Sequence, residues 1–425
     1  MSARIPPPDL NTECLCLTVD RESLRRELAV EADQDGFFDA LASSHPNLFS
    51  GVTSFIPVEM LARMRSIVSA IEDVVASPGY VDAVLAYAPD IARVDHGARG
   101  AFMGYDFHLG PDGPGLIEIN TNAGGAFLNA VLARAQRRCC GAASRARISP
   151  PRGFEAAVAE MLEAEWRTSG RTGTLHRIGI TDDRPSEQYL YPAFTLARQM
   201  LLRLGYDAEI VDASAFRHEG NRLLIDGRPV DLVYNRLTDF ALEELHHLPL
   251  RSAYLAGDVV LTPNPRNHAL YADKRNLILL SDPARLAAWG IREETIEVLQ
   301  SGIPRTVAVT PERAGTLWAD RKHLFFKPAR GHGSKAAYRG DKLTRGVWAG
   351  IVKSGDFVAQ VYLPPGERMM RVDEEIVSRK MDVRLYTYGS ELLLTAARLY
   401  QGQATNMRTP GGGFAPVLLT GADEG

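Results

Sequence analysis

Cysteine is scarce in this chain: there are four in 425 residues, at positions 14, 16, 139 and 140. Two close pairs set that far apart match no zinc spacing, and sequence neighbours rarely bridge, so reduced thiols and a cytoplasmic setting are expected. Long apolar runs are missing as well. No stretch approaches the ~18 residues that span a bilayer, and residues 1–11 are Pro-rich and polar, unlike a secretory leader. Positive charge is not in excess either, with a net charge of −4 and an isoelectric point near 6.2. That leaves no basic field for nucleic acid or anionic lipid, and neither partner is expected. Internal repeats, low-complexity tracts and any Ser/His/Asp or Cys/His nucleophile signature are also lacking.

What remains is ordinary globular material, 45% hydrophobic and 24% charged, long enough for roughly two to three domains. Helical periodicity covers residues 21–30, 37–43, 57–75 and 80–87, strongest through Met60, Leu61, Met64, Ile67, Val68 and Ile71. A helix is expected over 126–140, with Cys139 and Cys140 packed in it, and a Pro/Ser/Arg linker over 145–153. After a helix at 155–168, β-type runs at 176–181, 208–211 and 231–235 alternate with a helix at 191–204, while Asp226-Gly227 turns a hairpin. That alternation predicts a parallel, doubly wound sheet. Residues 324–327, 357–362, 382–388 and 392–399 read as further strands.

The richest segment lies between Asp106 and Gly125. An acid ends one apolar run, a Gly/Pro-rich turn follows over 111–115, and a β-type run carries Glu118 and Asn120. Side chains two apart on a strand share a face, so Glu118 and Asn120 project together, and a hairpin brings Asp106 beside them. Three such oxygen donors suit Mg²⁺, which keeps positions for water and nucleotide phosphate; a solvated polar hairpin face is the alternative. Gly124 and Gly125 then open a helix whose free N–H groups suit an oxyanion.

Lys327 ends a strand ahead of Gly331, Gly333 and Ser334. It reads as an exposed point charge for phosphate, the loop letting backbone N–H groups approach; a solvated hairpin lysine is the equal alternative. The next apolar strand breaks into Pro-Pro-Gly. Backbone groups from Gln360 to Leu363 suit an adenine edge, and Glu367 suits ribose hydroxyls; a strand ending in a turn is the alternative, and the stronger one for this segment alone. Lys274 stands at a helix start. Arg384 and Arg398 share a strand face near phosphate, or else form structural ion pairs. Asn235 and Arg236 end a strand, where open α/β sheets bind ligands. Arg236, or Arg408 in the glycine loop with Asn406, suits a substrate carboxylate; a loop salt bridge is the alternative.

Together these motifs resemble the ATP-grasp superfamily of carboxylate–amine ligases. Lys274 in Asp-Lys-Arg, Lys327 with its glycine loop, and the hinge are similar to that superfamily's nucleotide lysines, flexible loop and adenine/ribose segment. Glu367 follows Gln360 by seven positions, as in the hinge of D-alanine–D-alanine ligases. Asp106, Glu118 and Asn120 are similar to the metal motif, but that motif ordinarily follows the hinge and here comes first. The chain therefore resembles the circularly permuted type, of which glutathionylspermidine synthase and glutathione synthetase are examples. A second departure is Gly104, where D-alanine ligases carry an arginine; Arg384 or Arg398 is expected to replace it.

The resemblance implies an α/β (α+β) fold, a permuted ATP-grasp with a small doubly wound α/β domain. Its parts would be a mainly helical region at 1–95, the displaced metal-binding part at 96–150, the small domain at 172–265, a central ATP-binding part at 266–363 and the remainder at 364–425. Residues 95–140 would then pack against 370–425. The implied reaction joins a small-molecule or peptide carboxylate to an amine through an acyl phosphate, using ATP and Mg²⁺. Asp106, Glu118 and Asn120 would hold the metal, and Lys274, Lys327, Gly331, Gly333, Ser334, Gln360, Leu363 and Glu367 the nucleotide. Arg384, Arg398, Gly124 and Gly125 would stabilise charge in transfer, while Asn122, Asn235, Arg236, Asn406 and Arg408 would face substrate. A homodimer is compatible with all of this. The alternatives are a small-molecule kinase on the same fold and a non-catalytic nucleotide-binding protein.

Overall fold

The computed structural model describes residues 7–136, 147–148, 153–331 and 336–421, in a mixed α/β arrangement. The largest sheet has eight strands, and its path runs Ser54–Pro57, Gly413–Thr420, Glu391–Tyr400, Glu375–Tyr388, Met103–Gly110, Gly113–Asn120. Gly366–Val372 pairs with Glu375–Tyr388, and Arg147–Ile148 with Gly413–Thr420. The early hairpin and the late strands thus form one antiparallel ladder, with Asp106 opposite Arg384 and Val383 opposite Phe107. The expected packing of the 95–140 region on 370–425 is met on this ladder.

Within the early hairpin the turn is tighter than expected, with Gly110 opposite Gly113. Gly113 has φ +126°, and a Cβ there would meet the Arg63 guanidinium at 2.2 Å, so only glycine fits. The register slips after Asp106: Asp106 faces Glu118 while Phe107 faces Leu116, leaving Ile117 as a bulge. A bulged residue frees its backbone groups from the ladder, and the carbonyl of Ile117 accepts from the Lys327 ammonium at 2.5 Å.

The region read as doubly wound forms a four-stranded parallel sheet in the order Val260–Thr262, Leu232–Asn235, Arg177–Asp182, Asp207–Asp212. Alternate residues serve opposite faces: Leu232 and Tyr234 join the cluster holding Ile178, Ile180 and Phe194, whereas Val233 joins Val211, Leu250 and Leu261. Both faces are covered, as continuous apolar strands require. A third sheet, Thr306–Ala308, Phe357–Val361, Leu324–Pro328, Tyr338–Arg339, is antiparallel and sets Lys327 opposite Val358. The long helix Val58–Val75 buries Leu61, Met64, Ile67, Val68, Ile71 and Val74, the stripe its periodicity predicts.

Several elements differ from the sequence reading. Gly413–Thr420, Gly366–Val372 and Ser54–Pro57 are strands where no strand was expected. The helix expected over 80–87 runs Pro78–Leu85, because Ser77 caps it by accepting from Tyr80 N and Pro78 takes the first turn. The helix after Gly125 is described to Arg134. Cys139, Cys140, Gly333, Ser334 and most of the 145–153 segment lie outside the described residues. No helix among the described residues is long and apolar enough to cross a membrane.

Candidate functional site

Where the large sheet meets the third sheet there is a cleft of about 900 Å³, open to solvent. Its floor comes from the early hairpin (His108, Ile117, Glu118, Asn120), and its roof from Lys327, Gln360, Val361 and Leu363, with Lys274 and Gly331 at the side. Residues more than 200 positions apart therefore converge as expected. Lys327 is buried, not exposed, at 8% accessibility. This corrects the reading of it as a free surface charge, the cause being the bulge carbonyl of Ile117 and Gln360 Oε1, which accept from its Nζ at 2.5 and 2.8 Å. Burial lowers its pKa to about 8, with Lys274 adding to the fall and the Glu118 carboxylate opposing it. Lys274 donates to the Gly331 carbonyl at 2.9 Å, tying the glycine loop to the wall.

The hinge behaves as expected in part. Gln360 and Leu363 line the cleft beside the apolar Ile117, Phe325 and Val361, a surface suited to a flat ring. The Leu363 carbonyl is hydrogen-bonded to His108 Nδ1 at 2.7 Å. Burial keeps that imidazole below its ordinary pKa, partly offset by Asp382, so the neutral ring donates. Glu367 does not reach the wall; it lies on the Gly366–Val372 strand, paired opposite Lys380, and accepts from Ser378 Oγ at 3.1 Å. Pro365 and Lys380 take that rim instead.

Behind the cleft lies a buried charge knot. Asp106 is fully buried, and its two oxygens accept from Arg384 Nε and Nη2 at 2.5 and 2.6 Å, from Arg398 at 2.8 Å and from Asn120 at 3.1 Å. Burial alone would raise its pKa, but Arg384 and then Arg398 hold it well below the usual carboxylate range. Arg398 also binds Asp382 at 2.6 Å. Asp106, Arg384 and Arg398 therefore do not line the cleft in this arrangement, contrary to expectation. A buried carboxylate demands compensating cations, and the two arginines supply it. Glu118 and Asn120 remain at the surface of the cleft, bonded to each other at 3.3 Å. Arg384 lies beside Gly104, where a Cβ would sit 3.4 Å from its Nε, but it is held by Asp106.

A second chamber, about 1010 Å³, adjoins the first and shares Asn120, Lys274 and Gly331 with it. Its far wall is Asn122, Asp182, Tyr189, Arg236, Phe240 and His268. Arg236 is 8% exposed, lies 5.8 Å from the Phe194 ring centre, and has an Nη1 with no protein partner. Asn122 likewise has an unpartnered Oδ1, while its amide nitrogen holds the Arg236 and Leu237 carbonyls at 2.6 and 3.0 Å. Gly124 and Gly125 open onto a small adjoining cavity with Arg236; Gly125, at φ +92°, would otherwise strike Phe414. Asn235 is structural, spanning the Pro263 carbonyl and Leu237 N. Asn406 is also structural, holding its own loop through the Gln401 carbonyl and Arg408 N, and exposed Arg408 lines neither chamber.

No family model matches this sequence, and no curated protein does. Among solved structures, a glutathione synthetase-like effector from Globodera pallida superposes with a TM-score of 0.60 at 12% identity, over 94% of this chain and 98% of that one. The chain has a glutathione synthetase-like fold. A candidate gamma-glutamylcysteine synthetase from Methylobacillus flagellatus KT matches over 84% of this chain and 87% of its own, at 12% identity and a TM-score of 0.44, too low to add to the argument.

Sequence reasoning missed several wall residues. Asp182, whose pKa burial lifts to about 6 against the pull of the Asp183 N–H and Arg236, lacked any motif. Phe240 stacks on His268 with ring centres 3.5 Å apart, a pairing 28 residues long in sequence that no local pattern announces. His268 opens a five-residue π-helix, His268–Ala272, a deformation often found at functional sites.

Proposed function

We propose that the chain is an ATP- and Mg²⁺-dependent ligase that joins a carboxylate to an amine. The carrying observation is the pair of chambers sharing Asn120, Lys274 and Gly331: a nucleotide in one room presents its terminal phosphate to a substrate in the other. Lys327 and Lys274 bind phosphate oxygens, the apolar hinge surface holds the base, and Arg236 with Asn122 orients the acceptor. The glutathione synthetase-like fold and the order of its parts support reading the chain as a permuted ATP-grasp protein.

The carboxylate of Glu118 and the amide of Asn120 are hard oxygen donors beside two lysines, a set that fits Mg²⁺. When bound, that ion would neutralise charge on the terminal phosphates. The protein's own groups position the rest. The acceptor carboxylate attacks the γ-phosphorus, ADP leaves, and the acyl phosphate so formed is attacked at carbon by the amine, which expels phosphate. Asp106 serves by holding Arg384 and Arg398 and by fixing the Asn120 amide.

Incubation of the protein with Mg²⁺-ATP and paired acid and amine panels tests this. One ADP and one phosphate per amide are expected, with loss of turnover in Glu118→Ala. A stable phosphoester without amide would establish a kinase instead, and full turnover in Glu118→Ala would remove the site altogether.

A further inference from the structure

Outside the cleft, at the carboxyl end of the parallel sheet, Asp183 follows the strand Arg177–Asp182 and meets the turn Leu245–His247. We propose that Asp183, His246 and His247 bind a divalent transition-metal ion of the zinc type. Nε2 of His246 and Nε2 of His247 converge on the same oxygen, Asp183 Oδ1, at 2.9 and 2.8 Å. The three donor atoms all lie within 4.8 Å of one another, the spacing of a common coordination sphere. These three protein donors form an N₂O set, which leaves the fourth position of a tetrahedral ion to water.

A second, independent feature points the same way. His247 is fully buried, and its other ring nitrogen lies 2.8 Å from Asp239 Oδ2. Metal-bound histidines are almost always oriented by such a carboxylate on the far nitrogen, which fixes the tautomer and raises ligand basicity. Asp239 also accepts from Glu244 N at 2.9 Å, so one carboxylate sets both the buried imidazole and the backbone that leads into the two histidines. Imidazole nitrogens favour zinc-type ions over Mg²⁺, so this site is chemically separate from Glu118 and Asn120 and does not depend on the ligase reading. It would pin segment 236–247, which carries Arg236, Thr238 and Phe240 of the second chamber, to the end of the strand that carries Asp182.

Tag-free, chelator-treated full-length protein titrated calorimetrically with Zn²⁺ in saturating Mg²⁺ tests the assignment. One equivalent of Zn²⁺ should bind and raise the melting temperature. Binding should weaken at least about tenfold in His246→Ala and in Asp239→Asn, and remain unchanged in Glu118→Ala. His246 is 40% exposed, so its replacement leaves the fold intact where His247→Ala, in the core, need not. Absence of Zn²⁺ binding, or undiminished binding in His246→Ala, would overturn the site and leave a hydrogen-bonded cluster.

Discussion

Asp106 illustrates how a residue's chemistry depends on partners far along the chain. Its place beside Glu118 and Asn120 follows from a two-residue strand period and a hairpin, both readable locally. Its burial does not, because Arg384 and Arg398 lie 278 and 292 positions away and only the folded sheet brings them together. Asp106→Ala would strand the Arg384 guanidinium in the interior and leave Arg398 with Asp382 alone, and a loss of about 3–5 kcal/mol is expected in urea unfolding. Lys327 carries a pH signature. With a pKa near 8 against an ordinary 10.5, its charge fades around pH 8 in the folded protein. Affinity for a non-hydrolysable ATP analogue should therefore fall between pH 7 and 9, and Lys327→Arg should flatten the profile. The stability sign runs the other way: the unfolded chain holds more protons between the two values, so this group makes stability rise with pH across them.

At the level of elements, the decisive joint is a clasp around Glu165 on the helix Phe154–Thr168. Its buried carboxylate accepts from Arg99 N at 2.7 Å, Gly100 N at 3.1 Å and Tyr388 OH at 2.9 Å, so it ties the approach to the early hairpin to the end of a late strand. Glu165→Ala leaves one buried and two half-buried donors unpaired, and a cost of about 2–4 kcal/mol is expected, read as a lower urea midpoint. The parallel sheet and the long helix were legible because their apolar periods are local. Gly413–Thr420 was not: it follows a glycine-rich loop, and its strand character comes from pairing with Glu391–Tyr400 and Ser54–Pro57. The bulge at Ile117 was equally hidden, since a slipped register leaves no mark in residue order.

Across the whole molecule, two sequence-distant hairpins share a ladder, and Arg368, fully buried, donates to the carbonyls of Asn11, Cys14 and Thr53. The N-terminal segment is thus fastened to the late strands through Arg368. Amides of 103–107 and 383–387 should exchange with solvent at one common free energy, and hydrogen-exchange mass spectrometry should find their protection lost together in denaturant. Separate exchange would mean that the ladder opens in halves. Arg368→Ala should remove a donor from three interior carbonyls and speed proteolysis near residues 11–20.

Asn120, Lys274 and Gly331 act as a party wall, because each belongs to both rooms of the cleft. Any tenant that draws one of them toward itself changes the fit next door. Thermodynamic reciprocity then obliges the favour to be returned by the same factor. Under the ligase proposal, a molecule in the farther room that moves these residues should be held more or less tightly according to whether nucleotide fills the first, and the nucleotide according to it.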